Sequence, residues 1–453
     1  MVLRKIMAQE KLFLVALFLG SFLVRALFFG LYQRYDDRAW LAFDSEQYHQ
    51  VALQIALGNG ISTADCQPNF YRLPGYPAFL AAGYKLFNFS VEKTLWLQLV
   101  LASFIPVLIF VLAQILLGSM LLAKIAAGIA MLHPGFIMYA GTVSTESLFL
   151  LFFLLFLCCF FTAPSYRILL VASLFLGVAS LIRAVGHYIL VLALIYFLFM
   201  RSQRIKKIAA AGVLSGGWLA VVSWWLLRNY LLAGAIFFHT LPGLHFLQYS
   251  ATYVVQDLEH CDYFVAKKKI FAEWDRRVEH AEQKLKRPVT EYERFACAEK
   301  LAYAYLFGHP IVALKHAVVQ IMRTCCTLYS TILLYVPLGT VYGDASLWFK
   351  AKLYLLPNAI HQGLIPLIYW ELILFGVMAM GWMLLMFRAV RDKHARMLLF
   401  KILPFMFLLI GITLAYGCAR LRFAVEPFMI IGVVYGLFYR LSSSSACCIA
   451  NVF

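Results

Sequence analysis

The sequence predicts an all-α fold: a polytopic membrane helix bundle of ten to twelve crossings, with further helices in loops on the outer face. Three observations lead there. Of 453 residues, 63% are hydrophobic and 13% charged, against about 25% charged in an ordinary globular domain. Apolar runs of about 20 residues, the length that crosses the hydrocarbon core, recur along the whole chain. Two basic clusters mark cytoplasmic loops: Arg201, Arg204, Lys206 and Lys207, then Arg388, Arg391, Lys393, Arg396 and Lys401. The net charge of +17 is explained by such loops and membrane edges, so membrane lipids, not nucleic acid, are its partner.

Taken in order, the apolar runs lie at about 12–31, 94–117, 121–140, 146–163, 168–182, 186–200, 208–231, 312–336, 345–362, 365–387, 398–417 and 423–440. The first follows Arg4, Lys5 and Lys11, is too long for a signal-peptide core and has no small-x-small cleavage site after it. It reads as an uncleaved helix with its N-terminus in the cytoplasm. Six crossings then bring Arg201–Lys207 inside, as required, and a seventh places 232–311 outside. To return Arg388–Lys401 to the cytoplasm, 312–336 and 345–362 must either both cross or both not cross. Lys350, Lys352, Pro357, Asn358 and His361 make the latter a poor span. Either count leaves both termini cytoplasmic. The chain is read as one transmembrane domain, 1–453, with a first outer loop at 32–91, a helical insert at 232–311 and no C-terminal soluble domain.

The insert is the charged part of the chain, with ten acids and ten bases between Asp257 and Lys300. Ile270, Trp274, Val278, Ala281 and Leu285 recur at helical spacing. A second helix begins after Pro288, where Thr290 and Glu293 have capping-box spacing. The balanced charges read as a solvated surface. Ten cysteines show neither paired CxxC spacing nor metal-site clusters; a Cys261–Cys297 disulfide is left open, because bridging needs close approach.

The same parity puts most of the unexplained polar residues on the outer face, and these are the candidates for chemistry. Asp44 and Glu46 start a helix-compatible run after the first span. There a carboxylate is favoured by the helix dipole and would serve either as a plain N-cap or as a base. The neighbouring pair Asp36-Asp37, flanked by Arg34 and Arg38, reads as a salt-bridged turn. In Arg72-Leu73-Pro74-Gly75-Tyr76-Pro77 two prolines stiffen a turn that carries a guanidinium, a natural phosphate partner. Arg183, Arg228, Arg420 and Arg422, with Arg25 in the first span, are intramembrane or edge charges of the kind that mark function. Glu146, in a short outer turn, is a second site acid or a helix N-terminal charge. No cofactor is evident; the histidines lack metal-ligand spacing, while Asp44 and Glu146 together leave a divalent metal open.

These residues resemble a family. Asp44-Ser45-Glu46-Gln47-Tyr48, Ala52, Gly58-x-Gly60 and Arg72-x-Pro74-Gly75-Tyr76-Pro77 are similar to the first outer loop of bacterial GT-C glycosyltransferases of family 39. Relatives there include the protein mannosyltransferases and the aminoarabinose lipid A transferases. The likeness continues through Ser144-Thr145-Glu146, Leu181-Ile182-Arg183, Trp225-x-x-Arg228-Asn229-Tyr230, His309-Pro310 and Arg420-x-Arg422-x-x-x-Glu426-Pro427. It implies a GT-C-like enzyme of the bacterial inner membrane. Such an enzyme moves a hexosyl or pentosyl group from a polyprenyl-phosphate donor to a hydroxyl of a lipid, glycan or protein acceptor, with inversion. It implies a catalytic Asp at Asp44. Ser45 separates Asp44 from Glu46 where many relatives have adjacent Asp-Glu, so the base is placed on Asp44. Arg72, Arg420 and Arg422, with Arg183 and Arg228, are then expected to hold the donor phosphate. The alternative reading is a polytopic transporter or lipid flippase. It explains the intramembrane arginines but not the polar first loop, and no two halves show matching broken helices.

Overall fold

The structure, a computed structural model, describes residues 10–33, 44–162, 165–199, 204–329 and 365–439. The first helix, α1, runs Lys11–Gln33. Then come α2 (Ser45–Leu57), α3 (Gly75–Leu86), α4 (Val91–Ala102), α5 (Ile105–Leu117), α6 (Met120–Met131), the short α7 (Pro134–Met138), α8 (Glu146–Phe161), α9 (Tyr166–Ile182), α10 (Val185–Phe199) and α11 (Arg204–Ala233). A connecting segment carries α12 (Leu241–His245), a π-helical turn (Phe246–Ala251), α13 (Thr252–Glu259), α14 (Tyr263–Leu285) and α15 (Glu291–Gly308). After α16 (Pro310–Cys326), the description resumes with α17 (Ile365–Ala389), α18 (Lys393–Gly411), the single turn α19 (Ala419–Arg422) and α20 (Glu426–Phe438). Among the described residues there is no strand, only an isolated bridge between Ser62 and Pro68.

Five described helices are long and apolar enough to cross a membrane, and a sixth span results if Met120–Met131 and Pro134–Gly141, bent by 57°, count as one. Shorter apolar helices add Glu146–Phe161, Tyr166–Ile182, Val185–Phe199 and Glu426–Phe438. The chain is therefore an integral membrane protein, all-α and polytopic. The stretch 345–362, which sequence leaves ambiguous, lies outside the described residues, as do Asp36 and Asp37.

One large apolar core joins α1, α3 to α6, α8 to α10, α18 and α20. Small residues do much of the fitting, since helices in lipid associate by close approach more than by water exclusion. Ala123, Ala126, Ala127 and Ala130 of α6 are fully buried against α5 and α20. The connecting segment has a core of its own from Leu247, Val255, Ile270, Trp274, Val278 and Leu301. The expected capping box is present: Thr290 Oγ1 accepts from Glu293 N–H while the Glu293 carboxylate accepts from Thr290 N–H. Cys261 and Cys297 are both free thiols packed against this core.

Gly75 sets the approach of α3 to α9. A Cβ there would lie 2.8 Å from the backbone carbon and oxygen of Leu181, two residues before Arg183. Backbone cannot yield as a side chain can, so Gly75→Ala is expected to cost about 1–3 kcal/mol of stability, as overpacked cores do. A detergent melting curve identical to wild type would refute this.

Candidate active site

Asp44 occupies the N-cap position of α2, but its side chain makes no capping hydrogen bond. Its carboxylate turns away from the helix toward two guanidiniums. Oδ1 lies 2.9 Å from Arg72 Nη2, and Oδ2 lies 2.9 Å from Arg420 Nη1. The Asp44 side chain is 40% exposed while those of Arg72 and Arg420 are 5% and 19%. The carboxylate is thus the open face of a buried cationic pair. Burial alone would push its carboxyl up; Arg420 and then Arg72 outweigh that and hold it well below the usual carboxylate range.

Arg72 is fully committed. Nε and Nη2 both donate to Gln47 Oε1, at 2.9 and 2.7 Å, and Nη1 donates to Tyr48 Oη at 3.2 Å. Its guanidinium also stacks over Tyr48 and Tyr71. Gln47 and Tyr48 lie on the first turn of α2, one helical turn beyond Asp44, so one helix end supplies both the carboxylate and the residues that aim its partner. The Asn69–Arg72 tract is held in turn. Asn69 Oδ1 accepts from Arg72 N–H, and Arg228 donates to Asn69 O at 3.1 Å and Ile61 O at 2.8 Å.

Arg420 is shared. While Nη1 faces Asp44, Nε donates to Glu146 Oε1 at 2.5 Å, and the same oxygen accepts from Arg183 Nη1 at 2.5 Å. Glu146 is fully buried at the start of α8, and its Oε2 has no hydrogen-bond partner among the described residues. Arg183 is the C-cap of α9, brought in by the tight Gly75–Leu181 contact. Glu146, Arg183 and Arg420 are among the residues that line a small cavity of about 50 Å³, together with Phe149, Val185, Leu409, Ile412 and Phe423. Its lining mixes two guanidiniums and a carboxylate with apolar side chains.

The expected set therefore divides. Asp44, Arg72, Glu146, Arg183 and Arg420 come together. Glu46, on α2, is apart from them and accepts from Gln50 at 2.6 Å on the exposed side. Arg228 clamps the first loop. Arg422 points the other way from Arg420: Nε donates to Glu426 at 2.6 Å, and Nη1 donates to the Thr324, Cys325 and Thr327 carbonyls at the end of α16. Its Nε and Nη1 are engaged by protein, as are all three guanidinium nitrogens of Arg72. A guanidinium stands between Asp44 and Glu146. Among the described residues no group of three or more His, Cys, Asp or Glu side chains is placed to hold a metal.

The connecting segment overlooks this site. His245 of α12 and Tyr249 of the π-helical turn lie within electrostatic reach of Asp44, and Tyr249 packs on Tyr416 at 4.6 Å. Burial pushes the His245 imidazole down to about 4, so it is neutral at pH 7. Thr240 N–H donates to Phe70 O, and Phe237 packs edge-on against the Phe70 ring at 5.5 Å, tying the segment to the tract that carries Arg72. Glu291 lies at the same junction. Burial raises its carboxyl to about 7, against the pull of a bond from Phe70 N–H and of Arg228. Between the ordinary 4.5 and about 7 the folded chain keeps a proton that the unfolded chain releases. Stability should therefore fall as pH rises through that window and level off above it. Glu291→Gln is expected to abolish this component in melting curves taken across the window; an unchanged pH slope would contradict it.

The fold and this site define an all-α, polytopic integral membrane protein with a cluster of carboxylates and guanidiniums drawn together from distant parts of the chain. No protein-family model matches the chain, and no curated protein sequence does. Solved structures do. The archaeal oligosaccharyltransferase AglB from Archaeoglobus fulgidus, in complex with an inhibitory peptide and a dolichol-phosphate, superimposes with a TM-score of 0.50 at 12% identity, over 97% of this chain and 52% of AglB. The chain thus spans about half the length of that enzyme. ArnT from Cupriavidus metallidurans bound to undecaprenyl phosphate gives a TM-score of 0.42 at 13% identity, over 97% of this chain and 79% of ArnT. Apo ArnT gives 0.34 at 13% identity, over 89% and 74%.

Proposed function

We propose that this chain is a glycosyltransferase that moves a sugar from a polyprenyl-phosphate donor to an acceptor hydroxyl at the outer face of the membrane. The observation that carries the reading is the shared position of Arg420. It joins an accessible carboxylate, Asp44, to a small cavity lined by Arg183, Glu146 and apolar side chains. A lipid-linked sugar phosphate has that same polarity: a hydrocarbon chain, an anionic phosphate, then a reactive carbon. The fold supports it, because AglB is an oligosaccharyltransferase whose structure holds a dolichol-phosphate.

In this mechanism the isoprenoid lies against Phe149, Leu409 and Phe423, and Arg183 and Arg420 bind the phosphate. Arg72 orients Asp44, and Arg228 and Arg422 hold the surrounding backbone. Asp44 takes the proton of the acceptor hydroxyl as its oxygen bonds to the anomeric carbon. The bond from that carbon to the phosphate oxygen breaks, and polyprenyl phosphate leaves with its charge met by guanidiniums. One displacement inverts the anomeric centre. The placement of the basic loops supports cytoplasmic termini.

The test is transfer from a panel of polyprenyl-phosphate sugars by the purified protein in nanodiscs. Donor-dependent transfer with inverted product is the expected result. If no donor is consumed and a fluorescent lipid instead changes leaflet, the protein is a flippase and the proposal fails.

A further inference from the structure

We propose that Arg420 is contested between Asp44 and the donor phosphate, so that Asp44 becomes an effective base only once the donor has drawn Arg420 away. The inference rests on the donor site proposed above and adds an order to its steps.

The geometry points this way because the two arginines that pair with Asp44 are not equivalent. Arg72 has each of its three guanidinium nitrogens engaged by Gln47, Tyr48 or Asp44, all at the start of α2, and its side chain is 5% exposed. It stays. Arg420 spans two carboxylates that belong to different parts of the site, Asp44 at the exposed mouth and Glu146 at the buried end. Its Nη2 makes no hydrogen bond among the described residues, and it lines the apolar cavity. The backbone around it need not move for the side chain to swing. Arg422, two residues on, pins the single turn Ala419–Arg422 to the end of α16 through Glu426 and three carbonyls.

In the resting arrangement both oxygens of Asp44 are held by cations. Paired so, the carboxylate stays ionised but is a poor proton acceptor, because each favourable charge stabilises the form without the proton. A phosphate entering between Arg183 and Arg420 competes for the same guanidinium. As Arg420 turns to it, Oδ2 of Asp44 is released on the accessible side of the carboxylate, within electrostatic reach of His245 and Tyr249, where the acceptor must enter. Only Asp44 Oδ1 then remains paired, to Arg72. Proton abstraction becomes easier when, and only when, a phosphate is in place. An acceptor bound alone meets a carboxylate that is masked.

Such competition is reciprocal: if the phosphate weakens the Asp44–Arg420 pair, then Asp44 must weaken phosphate binding by the same factor. Undecaprenyl phosphate binding to the full-length protein in nanodiscs reads this without any turnover. Asp44→Asn is expected to bind it about tenfold more tightly than wild type, one ion pair's worth of competition. In an Arg420→Ala background the Asp44→Asn step is expected to change nothing. Equal or weaker binding by Asp44→Asn, with wild type binding normally, would overturn the contest while leaving the donor site intact. No binding to wild type would instead overturn the donor site and the contest with it. A second measurement avoids the variants. Carbodiimide labels protonated carboxyls, so labelling of Asp44 at mildly acidic pH, read by peptide mass spectrometry, should rise when wild type is loaded with undecaprenyl phosphate and not with undecaprenol. Labelling that falls or stays level on loading would also refute the inference.

Discussion

Asp44→Asn should lower sugar transfer by about 10²–10⁴-fold, the range contributed by a positioned general base, while the melting temperature stays close to wild type. Both halves follow from the side chain's surroundings. It makes no helix cap, so its loss uncaps nothing. Its partners remain satisfied without its charge: Arg72 keeps Gln47 and Tyr48, and Arg420 keeps Glu146. The amide keeps the shape and loses only the ability to accept a proton. Transfer measured with a labelled donor, alongside a detergent melt, separates chemistry from folding. Undiminished transfer in a folded variant would move the base elsewhere, with Glu46 and Glu146 the next acids to test.

Arg422→Ala should do the reverse, unfolding the protein before its chemistry can be read. Glu426 is fully buried, and its Oε1 accepts from both Arg422 and Tyr329 Oη. Removing the guanidinium leaves that carboxylate without its cation and exposes three carbonyls at the end of α16. Breaking a buried pair by deleting one partner costs about 3–5 kcal/mol. Arg422→Lys should not restore it, because an ammonium cannot reach the carboxylate and the carbonyls in one fork. A melting temperature near that of wild type would mean that Arg422 is not the anchor described. Arg420→Ala, two residues away, should instead fold and fail to transfer.

That contrast shows where sequence reading stops. The bundle was legible, because burial in lipid leaves long apolar runs and basic loops that need no partner to interpret. Asp44 was legible as the first-loop acid, and Thr290 with Glu293 as a cap, since both depend on residues a few positions apart. The direction of a side chain in a single-turn helix was not. Arg420 and Arg422 look alike in sequence, yet two steps along a helix turn a side chain to the opposite side, and one serves the site while the other serves α16. Arg72 likewise reads as a free cation until Gln47 and Tyr48 are seen to hold it. Those two stood three and four residues after Asp44, a spacing that could have marked them. The pairing of Asp44 with Arg420 spans 376 positions and leaves no local trace. The same is true of His245, Tyr249 and Glu291, which reach the site only through the packing of the connecting segment.

The shared Glu146 oxygen also bears on how the protein is made. Glu146 and Arg183 are 37 residues apart and can meet as soon as α8 and α9 have entered the bilayer. Each thereby shields the other's charge from lipid during insertion, when an unpaired one is costly. Arg420 arrives far later, 274 residues after Glu146, which at about 5–20 residues per second is roughly 15–50 seconds of synthesis. Until then the nascent protein holds a neutral Glu146–Arg183 pair and an Asp44 partnered by Arg72 alone. A much later part of the chain thus supplies the cation that links Glu146 to Asp44, and a ribosome stalled before it would leave a membrane-inserted protein with the two carboxylates unjoined.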